Sequence, residues 1–182
     1  MPDYDVAIIG AGPGGYVAAI RAGQLGLKTV VVERDELGGI CLNWGCIPSK
    51  TLLRNAEVLH LFRRAKEFGI SFDNLSYDFG VAIDRSRKVV ATLTHGVASL
   101  LKKNGVQHIK GEARLRDAHT IEVTPNGHAF TAGSIVVATG ARPVSIPGLP
   151  VDGERVLPSR EALERRHVPE RAVIIGGGAT GA

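Results

Sequence analysis

Cys41 and Cys46 bracket the segment Cys41-Leu-Asn-Trp-Gly-Cys46 and are the only two cysteines among 182 residues. Two sulfurs at close spacing could exchange with a substrate thiol by making and breaking a disulfide. In an ideal helix, residues five apart rise about 7.5 Å and point about 140° apart. That exceeds the ~7 Å Cα limit for a disulfide. The sulfurs can therefore bond only where the chain is not yet a regular helix. Gly38-Gly39 before, Gly45 between and Pro48 after supply the interruption. Proline is tolerated in a first helical turn and not later, which predicts a helix beginning near Cys46. At that N-terminus Cys46 would be the stabilised thiolate. Cys41, upstream on a loop, would be the more accessible, exchanging sulfur. Lys50 shares the helical face of Cys46 and adds positive charge there. The alternative is two unrelated buried cysteines, which a C-x4-C spacing by itself favours.

Such a pair needs elements to position it and a partner to take its electrons. Asp5–Ile9 is a short apolar run that reads as a buried strand. Gly10-Ala11-Gly12-Pro13-Gly14-Gly15 follows, with Gly10, Gly12 and Gly15 at the G-x-G-x-x-G positions. Those glycines serve a tight turn, a close backbone approach to pyrophosphate and close packing of helix on strand. Gly14–Gly26 has helical spacing, and Lys28–Glu33 is a second strand ending at an acid. Strand, helix and strand in about 30 residues make a βαβ unit. Glu33 could accept both ribose hydroxyls and would repel a 2′-phosphate. The motif alone does not separate FAD from NAD.

Further along, Ser49–Phe68 and Phe79–Lys103 read as helices, the first with Gly69 as its cap. Short β runs follow at Val106–Ile109, Ala113–Leu115, Thr120–Val123 and His128–Phe130, with Asn126-Gly127 as a hairpin turn. Ser134–Thr139 reads as a buried strand, Glu161–Arg166 as a short helix and Ala172–Ile175 as a last strand. Gly176-Gly177-Gly178-Ala179-Thr180-Gly181 then repeats the glycine pattern through Gly176, Gly178 and Gly181. The expected fold is α/β: a Rossmann-like domain with a parallel sheet, helices and a small antiparallel meander, followed by the start of a second dinucleotide-binding domain. Net charge is +4 without a basic block, and Arg63-Arg64 and Lys102-Lys103 read as solvated helix faces. No nucleic-acid site is expected. The absence of a signal-peptide pattern or an apolar run of about 20 residues leads to the expectation of a cytoplasmic protein without a membrane span. In a reducing compartment, a lone cysteine pair is expected to do chemistry rather than staple the fold.

The glycine motif, Glu33, Gly38-Gly39-Ile40-Cys41-Leu42-Asn43-Trp44-Gly45-Cys46-Ile47-Pro48-Ser49-Lys50, Ala138-Thr139-Gly140 and the second glycine motif together resemble the class I pyridine nucleotide–disulfide oxidoreductases. The resemblance runs along the whole chain in the family's order. It implies FAD held by Gly10, Gly12, Gly14, Gly15 and Glu33, with Lys50 near the flavin ring. It implies that the backbone of Ala113 meets the adenine and that Thr139 and Gly140 pass close to the cofactor. Gly176, Gly178 and Gly181 would open an NAD site. Cys41 would exchange with substrate and Cys46 would contact the flavin. Ile47-Pro48-Ser49-Lys50, Trp44 and the Leu-Leu-Arg-Asn-Ala-Glu run lean toward the lipoamide branch. That branch implies dihydrolipoamide on a lipoyl domain as substrate, a 2-oxo acid dehydrogenase complex as setting, and a homodimer. A glutathione or mercuric reductase and a non-catalytic FAD-binding module are the competing readings.

The implied organisation is an FAD-binding domain over 1–145, a linker over 146–170 and the opening of an NAD-binding domain over 171–182. The family's catalytic His-Glu pair has no counterpart: none of His60, His95, His108, His119, His128 and His167 has Glu five residues on. A chain cut at the start of its second nucleotide domain, inactive by itself, is therefore expected.

Overall fold

Tyr4–Ile9 forms strand β1 and Thr29–Glu33 forms β2, and the Pro13–Gln24 helix, α1, lies between them. The two strands pair in parallel, with Val6 opposite Thr29 and Ile9 opposite Val32. Every residue of Thr29–Glu33 is buried, as expected of a parallel strand covered on both faces. In this computed structural model, which describes residues 1–125, 127–144 and 146–181, Gln107–Lys110 (β3), Glu112–Leu115 (β4), Thr120–Thr124 (β5) and His128–Val137 (β6) complete a six-stranded sheet in the order β3-β2-β1-β6-β5-β4. β3 extends the parallel side, with Glu33 opposite Lys110. β4 and β5 form the antiparallel meander. The buried core cluster of the sheet comprises Tyr4, Ala7, Ile9, Val30, Val32, Ile121, Val123, Phe130 and Ala132. The α/β architecture with a parallel sheet and an antiparallel meander is the one expected.

The short runs 128–130 and 134–139, expected as separate strands, merge into the single strand β6, which ends at Val137. Its first half pairs antiparallel with β5 and its second half parallel with β1. The apolar pattern breaks at Thr131–Gly133 because the strand changes partner there. The expected Asn126-Gly127 turn lies partly outside the described residues. Gly127 has φ +60°, and Val123 pairs with His128 across the turn.

Four further α-helices and a 3-10 turn follow from the remaining sequence. Gly39–Trp44 forms α2, a helical turn where a loop was expected, and Cys46–Arg63 forms α3. α3 gives way to a 3-10 turn at Ala65–Phe68, which ends at Gly69 with φ +70°. Phe79–Lys103 is α4 and Ser159–Glu164 is α5. α4 buries Ala82, Ile83, Ser86, Val90, Val97 and Leu101, the spacing of one helical face. Ala172–Ile175 is not paired into any sheet among the described residues. Val173 is 91% exposed. An apolar run becomes a strand only where a neighbouring strand exchanges hydrogen bonds with it, and no such neighbour lies among the described residues.

The chain divides into two compact units, Met1–Asn43 with Ala91–Arg142, and Trp44–Val90 with the residues from Pro143 on. The sheet and α1 belong to the first unit. α3 and α5 belong to the second. No helix among the described residues is long and apolar enough to cross a membrane.

Candidate functional site

In the first unit, the turn between β1 and α1 is built from glycine because nothing larger fits. Gly10 has φ +99°, a region in which a side chain is strained. A Cβ at Gly10 would collide with the Ala138 carbonyl and lie 3.1 Å from the Thr139 Cα. A Cβ at Gly15 would collide with the Gly10 carbonyl. Gly12 is the extended N-cap, and Pro13 opens α1, where its missing N–H costs nothing. Gly14 has no neighbour that a Cβ would meet. The first N–H groups of α1 lack partners within the helix and carry its partial positive charge, a setting suited to phosphate.

Glu33 closes this turn. Its Oε2 accepts a hydrogen bond from the Ala11 N–H at 2.7 Å, and its Oε1 accepts one from the Asp35 N–H at 2.8 Å. The residue is 9% exposed. Each carboxylate oxygen can accept a second donor, so the acid can fix the turn and still receive a sugar hydroxyl. The Gly111 N–H donates to the Glu33 carbonyl at 2.9 Å, which anchors the start of β4, where Ala113 pairs with Val123. Asp35 holds Arg142 through a 2.9 Å ion pair, and Lys110 donates to the Asp35 carbonyl. Burial pushes the His108 imidazole below its ordinary range, helped by Lys110 and opposed by Glu33.

The glycine turn is also the seat of the cysteine segment. The Gly38 N–H donates to the Ala11 carbonyl at 2.8 Å. A Cβ at Gly39 would lie 2.7 Å from the Gly12 Cα. Gly38 and Gly39 have φ of +90° and +58°, so both need glycine. α2 starts from this contact and carries Cys41. Asn43, 6% exposed, donates from Nδ2 to the Leu37 carbonyl at 3.0 Å and to the Gly39 carbonyl at 2.9 Å.

In the second unit, Cys46 is the first residue of α3, with Gly45 as N-cap. The helix therefore begins where Pro48 predicted. The expected accessibilities are reversed, for Cys41 is half-buried and Cys46 is exposed. The reason is local. Cys41 does not lie on a loop but in α2, whose next two residues, Leu42 and Asn43, are buried, whereas α3 turns Pro48 and Thr51 inward instead of Cys46. Lys50 is exposed one turn later. The Arg160 guanidinium lies over the Trp44 ring at 4.0 Å. Arg166 holds Asp84 with two hydrogen bonds of 2.7 and 3.0 Å. Gly176 has φ +106°, and a Cβ at Gly181 would collide with the Gly176 carbonyl.

The structure thus brings Gly10, Gly12, Gly15, Glu33 and Thr139 together around one turn, with Cys41 attached through Gly38-Gly39. Ala113 is two residues from the Gly111 anchor. Gly14 and Gly140 face open space. Lys50, Cys46, Gly176, Gly178 and Gly181 lie in the second unit. Sequence reasoning assigned no role to Asn43 or to the Ala11 N–H. The segment was expected as a loop, where an asparagine is ordinary, so the sequence carried no signal for either.

The sequence matches the pattern of the Pyridine nucleotide-disulphide oxidoreductase family over residues 4–182. The chain belongs to this family. It is 49% identical over 181 residues to a dihydrolipoyl dehydrogenase of Chlorobaculum tepidum, covering 98% of this chain and 39% of that protein. It is 48% identical over 190 residues to the dihydrolipoyl dehydrogenase of Mycobacterium leprae, covering all of this chain and 40% of the relative. The crystal structure of LpdA from Mycobacterium tuberculosis superposes with a TM-score of 0.83 at 29% identity, over 91% of this chain and 38% of that one. RclA of Escherichia coli, an HOCl-induced flavoprotein disulfide reductase, gives 0.76 at 26% identity, over 91% and 35%. The chain spans about two fifths of the length of the curated relatives it matches.

Proposed function

We propose that the full-length protein oxidises protein-bound dihydrolipoamide to lipoamide, using a Cys41–Cys46 disulfide, FAD and NAD. The observation that supports this most is the seating of the cysteine segment on the glycine turn. Gly38-Gly39 packs backbone to backbone on Ala11-Gly12, so α2 departs from the dinucleotide motif itself. The residues fit an FAD. The turn excludes any Cβ at Gly10, Gly15 and Gly39, and Glu33 keeps acceptor capacity beside it. In this reading Gly10, Gly12, Gly14, Gly15, Glu33, Ala113, Thr139 and Gly140 hold FAD. Lys50 lies toward the flavin ring, and Gly176, Gly178 and Gly181 open the NAD site. When bound, FAD takes the electron pair from the dithiol and NAD⁺ is the final acceptor.

The chemistry assigned to the chain itself is thiol–disulfide exchange. A substrate thiolate attacks the Cys41 sulfur, a mixed disulfide forms, and Cys46 leaves as a thiolate. The second substrate thiolate then attacks its own sulfur in that mixed disulfide. Lipoamide closes, Cys41 leaves as a thiolate, and two protons have passed from substrate to surrounding acceptors. Gly45 interrupts the helix between the two sulfurs, and Cys46 is the first residue of α3. The domain reading that goes with this is FAD binding over 1–145, a linker over 146–170 and the start of an NAD-binding domain over 171–182. A lipoyl domain of a 2-oxo acid dehydrogenase complex and a homodimer are its partners.

The test is dihydrolipoamide-dependent NAD⁺ reduction by the full-length protein. Wild type is expected to turn over, and Cys41→Ser and Cys46→Ser to lose at least a thousandfold. Turnover that survives either substitution would remove the disulfide from the reaction.

A further inference from the structure

The cysteine segment contains one side chain whose chemistry the exchange reaction does not use and whose placement is nevertheless specific. Asn43 is 6% exposed. Its Nδ2 faces two carbonyl oxygens, those of Leu37 at 3.0 Å and Gly39 at 2.9 Å. Only a group with two protons satisfies two acceptors at once, so the orientation of the amide is dictated. On the other side, the Thr94 hydroxyl approaches Asn43 Oδ1 at 3.5 Å. Both carbonyls belong to the turn that seats α2. Leu37 precedes the pair of positive-φ glycines, and Gly39 is the residue whose Cα side abuts Gly12. The amide therefore bridges the two ends of this turn, with Cys41 between it and Gly39 in sequence.

We propose that Asn43 is a positioning residue that sets the reactivity of Cys41 by locking the Leu37–Gly39 turn under α2, an inference that rests on the redox reading of the cysteine pair. Gly38 and Gly39 are conformationally free residues whose ordering costs backbone entropy, and α2 is too short to hold itself. The Asn43 amide supplies the missing constraint. With it, Cys41 stays in one geometry for exchange, which raises its effective concentration toward a partner sulfur. Without it, Cys41 samples many geometries and the intramolecular disulfide becomes easier to reduce. Asn43→Asp is the sharpest probe, because the shape is kept while the two-proton donor becomes an acceptor facing two carbonyls.

The experiment is a glutathione redox titration of the full-length protein, with Cys41 and Cys46 followed by site-resolved alkylation and mass spectrometry. Asn43→Asp is expected to lower the disulfide-forming equilibrium constant at least tenfold, about 30 mV. Asn43→Ser, with one donor left, should fall between. Thr94→Val, which leaves both Nδ2 bonds in place, should stay within threefold of wild type even where it lowers the melting temperature. Folding is checked by circular dichroism, and if Asn43→Asp does not fold, Asn43→Ser decides. Asn43 variants that fold and stay within threefold of wild type would overturn the positioning role alone. A wild-type protein that forms no Cys41–Cys46 disulfide would overturn the redox reading and this inference with it.

Discussion

At the Gly10–Gly15 turn, Gly10 has φ +99°, and at the Gly176–Gly181 turn, Gly176 has φ +106°. In both, the sixth residue is a glycine whose Cβ would collide with the carbonyl of the first. The surroundings differ. The first turn is enclosed by Ala138, Thr139 and Gly39, and its Ala11 N–H is held by Glu33. At the second, a Cβ on Gly176, Gly177 or Gly178 would meet nothing within 4 Å. The conformation of a G-x-G-x-x-G turn is thus written in its own six residues. The cradle around it is supplied by strands and loops from elsewhere in the chain.

Crowding both turns in the same way has the largest expected effect. Gly15→Val in this 182-residue chain should cost about 3 kcal/mol or more, because the obstructing atom is the backbone oxygen of Gly10, a residue tied to β2 through its N–H. Gly181→Val meets the same local obstruction in an exposed segment and should cost less than about 1 kcal/mol. Urea denaturation of the two variants checks this. Equal losses would mean that the second turn is as enclosed as the first.

Removing the latch is the next largest change. Glu33→Gln loses the carboxylate that accepts from Ala11 and Asp35, and hydrogen bonds to a charged group contribute about 1.5–3 kcal/mol. A fall of about 2 kcal/mol in unfolding free energy is expected. The amide N–H resonance of Ala11 should shift with it, whereas those of Gly176–Gly181 should not.

The smaller effects sharpen the picture of what encloses the first turn. His108, on β3 beside Val31, is held below its ordinary titration range chiefly by burial. Its neutral form is the one that the folded chain favours, so the unfolded chain takes up a proton first as pH falls. Stability should be complete above about pH 6.5, the ordinary histidine value, and decline as pH falls from there toward the depressed folded value. His108→Gln should flatten that part of the stability–pH curve. The smallest effect, and the one of opposite sign, belongs to Gly14. It lies in α1 with open space around it, so Gly14→Ala should stabilise by about 0.5–1 kcal/mol. A loss of stability there would mean that α1 packs more tightly than its contacts show.

The elements that depend on local pattern were legible in the sequence. Phe79–Lys103 has the same bounds as the observed helix, and the helix start at Cys46 followed from Pro48 and Gly45. Glu33 was legible as the acid at the end of β2. What was hidden depended on contacts between distant segments. The partner change along β6 splits its apolar pattern into two apparent strands. α2 went unread because its seat is a backbone contact between Gly39 and Gly12, which leaves no side-chain signal beyond two glycines. The relative exposure of the two cysteines was reversed because Cys41 lies in that unread helical turn rather than on a loop. The last apolar run lacks a pairing partner among the described residues, and pattern alone does not reveal that.

The central claim is that Cys41 and Cys46 form a redox pair seated on the dinucleotide turn. Treatment of the oxidised full-length protein with dihydrolipoamide, followed by alkylation and site-resolved mass spectrometry, tests it most directly. The account predicts that both cysteines are protected before treatment and alkylated together after it. It also predicts that Cys46→Ser leaves Cys41 open to alkylation from the start. Cysteines alkylated to the same extent before and after dihydrolipoamide would contradict it.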